Sequence, residues 1–100
     1  MNKPVYSGID NDEQGGLTHL GRIVMDSWVF GILPESQKCQ GWDYGRMQDL
    51  YDQVNKRWDE FGPIPAHLPE PFRSNHERIY AQAVERAKNQ GWDPDLSDEE

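Results

Sequence analysis

The chain has 100 residues, 35% of them apolar, and a formal net charge of −8 from eighteen acidic and ten basic side chains. This suits one small domain, and it offers no clustered cations for a phosphate backbone, so no nucleic-acid partner is expected. A single cysteine, Cys39, excludes an intrachain disulfide and a cysteine-rich zinc site, and no apolar run approaches the ~20 residues of a membrane span.

Residues 1–16 hold Pro4, Gly8, Gly15, Gly16 and the acids Asp10, Asp12 and Glu13, with no hydrophobic period. They read as a flexible polar arm. Asp10 to Gly15 opens like a calcium loop. However, the position that needs a bidentate Glu is Gly21 and no helix precedes it, so no metal is expected there. Nothing in MNKPVYSGID resembles a secretory leader, and a cytoplasmic location follows as an expectation.

A first helix is expected over residues 17–33, with Thr18 as N-cap and Pro34 as the stop. Leu17, Leu20, Val24, Trp28 and Ile32 share one side. Ile23, Val29, Phe30 and Leu33 lie off that stripe. A helix that is apolar nearly all round is either the centre of its domain or part of an interface. These four residues are therefore the candidate partner-binding face, for another protein or for a second copy.

Cys39 follows in a polar loop, between Lys38 and Gln40. A lysine and a helix N-terminus nearby could lower its pKa, which makes it the candidate reactive thiol. Asp43 then caps a second helix to Phe61. In that helix Met47, Leu50, Tyr51, Val54, Trp58 and Phe61 form the cleanest amphipathic stripe in the chain, and Gly62-Pro63 ends it. Residues 62–71, with four of the seven prolines, read as an extended strap with Ile64 and Leu68 turned inward. The stretch Trp58–Ala66 (WDEFGPIPA) resembles a helix end in sulfur-relay proteins of the DsrC/TusE type. The resemblance covers about ten residues and lacks the C-terminal cysteine those proteins use.

A third helix is expected near 72–90. It would begin at a Ser74-x-x-Glu77 capping box or at Glu70 with Pro71 in the first turn, with Ile79, Tyr80, Ala83, Val84 and Ala87 inward. The tetrapeptide QGWD occurs at 40–43 and again at 90–93, but its flanks do not align. It reads as punctuation: Asp43 caps helix two, whereas Gly91 and Trp92 would form a Schellman stop after helix three. Five of the acids fall in residues 93–100, which leaves −3 for the rest; this run is an acidic, disordered tail in the reading adopted here.

The fold class expected is all-α: a three-helix bundle over 17–92, with a proline strap and polar ends. The core would include Leu20, Val24, Trp28, Met47, Leu50, Val54, Trp58, Ile79 and Val84. His19, His67 and His76 show no ligand spacing, and neither metal nor cofactor is expected. No catalytic set emerges. The expected function is a non-enzymatic interaction module, a small accessory or regulatory subunit acting through the apolar helix face and the acidic tail. The alternative is a thiol-dependent redox or sulfur-carrier protein built on Cys39.

Overall fold

Three α-helices carry the chain: α1 (His19–Val29), α2 (Tyr44–Phe61) and α3 (Phe72–Asn89), with single 3-10 turns at Ile9–Asn11 and Pro65–His67. The computed structural model describes residues 4–62 and 64–91. The acidic run 93–100 and Trp92 lie outside them. Among the described residues there is no β-strand, only one antiparallel bridge between Val5 and Asp43. The all-α three-helix architecture expected from the sequence is the one observed.

Local chemistry sets the helix ends. Thr18 Oγ1 accepts from the Gly21 N–H at 3.1 Å, and Asp43 Oδ1 from the Arg46 N–H at 2.8 Å, each satisfying an amide that has no intrahelical partner. Gly62 closes α2 in the left-handed region, at φ 73°. The capping box at Ser74 is not used. Instead the Glu70 carboxylate accepts from both the backbone N–H and the hydroxyl of Ser74, and α3 begins at Phe72 behind Pro71.

α1 stops four residues earlier than expected. Gly31 takes φ 72°, its N–H donates to Trp28 O at 3.2 Å, and the Ile32 N–H donates to Ser27 O at 2.9 Å. This is a complete Schellman turn. The glycine ends the helix before Pro34 can. After α3, Gly91 sits at φ 95° and its N–H donates to Lys88 O at 3.0 Å, which is the half of the expected turn that lies within the described residues.

α1 is the shared partner of α2 and α3, which meet each other only slightly. This accounts for its nearly all-round apolar surface: both sides are covered by the chain itself. Val24, Met25 and Val29 are fully buried. Met47, Leu50 and Val54 face them from α2, and Ile79, Ala83 and Ala87 from α3. Each large side chain removed from water contributes about 1.5–3 kcal/mol. Leu20, Trp58 and Val84, expected in the core, are half-buried at its margin. In the strap Leu68 turns inward as expected, whereas Ile64 is 46% exposed.

The arm departs most from expectation. Residues 4–16 pack onto the helices instead of hanging free: Tyr6 and Ile9 belong to the core, and Asp12 is buried with them. The physical reason is a polar hub. Asp12 Oδ1 accepts from the N–H groups of Gln14 and Gly16 at 2.9 and 3.0 Å; Oδ2 accepts from the Tyr6 hydroxyl at 2.6 Å and from the Thr18 hydroxyl. Four donors let a carboxylate be buried. Burial alone would push this carboxyl up. The hydrogen bonds from Thr18, Tyr6, Gln14 and Gly16 outweigh that and hold it below the usual carboxylate range. The arm also touches α3. Arg86 Nε donates to Gly15 O at 2.9 Å, and a Cβ on Gly15 would fall 2.6 Å from the Ala87 nitrogen, so the two backbones meet only because this residue is glycine.

Candidate interaction surface

The four residues of the predicted partner face do not form one. Ile23, Val29 and Phe30 are 6%, 0% and 7% exposed, covered by α2 and α3 rather than left for a partner. Phe30 sits in an aromatic nest: edge-on to Trp58 at 5.2 Å, stacked on Phe61 at 6.1 Å, and edge-on to Phe72 at 5.5 Å. The Arg57 guanidinium lies over Phe30, Phe61 and Phe72 at 5.4–5.8 Å. Leu33 alone keeps part of its surface. With Ile32, Trp42 and Leu50 it lines a shallow cleft of about 240 Å³, and the Arg46 guanidinium stacks 3.9 Å above Trp42 at its edge.

Cys39 is buried completely, with its backbone at φ 60°. Burial pushes its thiol up to about 11, and the opposing field of Arg46 is too weak to reverse this. The expectation of a lowered thiol pKa is thereby corrected: desolvation outweighs the nearby cations. In the folded protein Cys39 should react with a disulfide reagent at pH 7.5 at least tenfold more slowly than free cysteine, with full reactivity recovered in denaturant. Fast labelling of the folded chain would contradict its burial.

A second, half-buried carboxylate joins all three helices. Asp26 on α1 accepts from the Tyr80 hydroxyl of α3 at 2.6 Å and from the Trp58 indole N–H of α2 at 3.1 Å. His76 stacks on Tyr80 at 4.3 Å. Burial pushes Asp26 up; the two donors and the nearby charges of His76 and Arg22 offset this only in part. Burial likewise pushes His76 down. With each carboxylate oxygen engaged by a donor from another helix, the cluster reads as an interhelical tie. Because the folded pKa of Asp26 is raised, its contribution to stability is full below its ordinary value of 3.8 and is lost as pH rises through the folded value. The stability advantage of the wild type over Asp26→Asn should therefore shrink as pH is raised from 3.8 towards neutrality. Urea midpoints measured at several pH values check this, and an advantage independent of pH would refute it.

A hollow of about 570 Å³ lies between the strap and the start of α3, lined mainly by polar side chains including Glu70, Arg73 and Glu77; the more apolar surface lies where the arm crosses the starts of α1 and α2. A groove of about 390 Å³ runs there between Val5 and Ser7 on one side and His19 and Leu20 on the other, with Glu13 and Tyr44 at its rim. A second hollow of about 380 Å³, lined by Pro4, Asp43, Tyr44 and Gly45, continues past the tyrosine. Val5 is 48% exposed and Tyr44 51%. Sequence reasoning missed both. Tyr44 continues the Met47–Tyr51–Val54–Trp58 spacing at the first turn of α2, so its period gives no sign that it is exposed. Val5 could be placed only once Tyr6 was known to point inward.

Among the described residues no group of three or more His, Cys, Asp or Glu is placed to hold a metal ion, and no helix is long and apolar enough to cross a membrane. No family model, curated protein or solved structure was found to match the chain.

Proposed function

We propose that the chain is a non-enzymatic protein-interaction module, an accessory or regulatory subunit of the cytoplasm, which binds its partner across the Val5–Leu20–Tyr44 groove rather than through Ile23, Val29 and Phe30. One observation carries this reading. Three large apolar side chains stand exposed among the described residues, namely Val5, Tyr44 and Ile64, and two of the three border the same groove. Scattered apolar residues are ordinary on a surface, but apolar residues that converge on a concavity rimmed by charge are characteristic of interfaces. The net charge of −8 favours a basic partner, and the acidic run 93–100 provides a second handle for it.

The test is a capture experiment with the full chain and two surface variants, Val5→Asp and Tyr44→Asp. Tyr44 is the first residue of α2, where an added carboxylate favours the helix dipole, so the variant should melt as the wild type does. A partner retained by the wild type should be retained at least tenfold less by either variant. Equal retention by all three proteins would remove the groove as the binding surface.

A further inference from the structure

Beside the groove the arm pairs along one edge, around the isolated Val5–Asp43 bridge. The Tyr6 N–H donates to Trp42 O at 2.8 Å, Tyr6 O accepts from the Gly41 N–H at 2.9 Å, and Val5 is bridged antiparallel to Asp43. Successive residues of an extended chain present their N–H and C=O groups to opposite edges. Since Tyr6 spends its pair on 41–42, Val5 and Ser7 turn theirs the other way. Ser7 O accepts from Asn11 Nδ2 at 3.3 Å. The N–H and C=O of Val5 and the N–H of Ser7 have no partner among the described residues. An exposed strand edge with unpaired amides is a template for another strand.

We infer that this edge takes an extended basic-apolar peptide segment of the partner as an additional strand, paired to Val5 and Ser7, with an apolar guest side chain against Leu20 and Tyr44 and a Lys or Arg beside Glu13. The inference rests on the groove being the interaction surface and specifies its occupant. Charge decides between the two candidate occupants. A second copy would bring Glu13 of both chains to the same seam, between chains that each carry −8, and like charges across an interface suppress association. A guest with a cation at alternate positions meets Glu13 with the opposite sign. In strand addition the main-chain bonds supply affinity and the alternate side chains supply selectivity.

The experiment begins with a random twelve-residue peptide library displayed against the immobilised full chain, and each enriched peptide is then measured against Tyr44→Asp. Enriched sequences should alternate apolar residues with Lys or Arg. On binding the best peptide, the Val5 and Ser7 amides should shift in the NMR spectrum and gain at least tenfold protection from hydrogen exchange. The same peptide N-methylated at alternate amides should bind at least tenfold more weakly in one methylation register and little changed in the other. Peptides that depend on Tyr44 but tolerate methylation in both registers would overturn strand addition and leave the groove standing as a binding surface. Peptides indifferent to Tyr44 would overturn both. Acidic or helical consensus sequences, or a doubling of molar mass by light scattering that Val5→Pro abolishes, would overturn the basic-peptide assignment.

Discussion

Asp12→Ala should destabilise the fold by about 3–5 kcal/mol, because it strands several donors at once and a buried unpaired donor costs ~1–3 kcal/mol. Tyr6 is 5% exposed and its hydroxyl donates to Asp12 at 2.6 Å. The Thr18 hydroxyl loses its acceptor while still capping α1, and the Gln14 and Gly16 amides lose the side chain that turns the arm. Tyr6→Phe, which removes one donor together with the need for its partner, should cost only about 1 kcal/mol. Urea denaturation followed by tryptophan fluorescence gives both numbers. If Asp12→Ala proves no worse than Tyr6→Phe, the carboxylate does not organise the arm. The pH dependence has the opposite sign to that of Asp26. The folded pKa of Asp12 is lowered, so its contribution is present above its ordinary value of 3.8 and is lost as pH falls through the folded value. Asp12→Asn should lack that acid-side loss.

Phe30→Ala should cost a further large amount, about 3–5 kcal/mol, the range for deleting a buried phenylalanine. Its ring touches Trp58, Phe61 and Phe72, which come from two different helices, so the cavity cannot close by moving one neighbour. Against a typical total of ~5–15 kcal/mol, the variant should be partly unfolded at 37 °C, and Phe30→Asp, which buries a charge, should not fold. The thermal midpoint by circular dichroism decides this. A variant that kept the wild-type midpoint but lost its partner would return Phe30 to the surface role its sequence position suggests.

That contrast marks where sequence reasoning reaches. Caps at Thr18 and Asp43 and the stop at Gly62 are legible because a cap is a local bargain between a side chain and amides two or three residues away. The stripe Met47–Leu50–Val54 is legible because its period is that of the helix. Whether Ile23, Val29 and Phe30 face a partner or their own chain is not, since burial by either leaves the same periodicity. The Gly31 turn was overlooked because Pro34 is the louder stop signal, yet the glycine comes first in the chain. The role of Asp12 within an arm that reads as polar and flexible is hidden for a similar reason. Its partners Tyr6 and Thr18 lie six residues to either side, a spacing that belongs to no regular element, and only the tertiary path of the arm brings them together.

The bond from Arg86 to Gly15 spans 71 positions of the chain. Closing a flexible loop of that length carries a length-dependent entropic term of about 4 kcal/mol, whereas the helices form from neighbours. The arm can pair with residues 38–42 and form its hub at Asp12 from near neighbours, but its contact with α3 waits until α3 has settled against α1. A ribosome releasing this chain would deliver the arm first and complete it last. During that interval the Gly15–Gly16 end of the arm and the side of α1 that α3 will cover are open, and the chain is most exposed to pairing with the wrong segment.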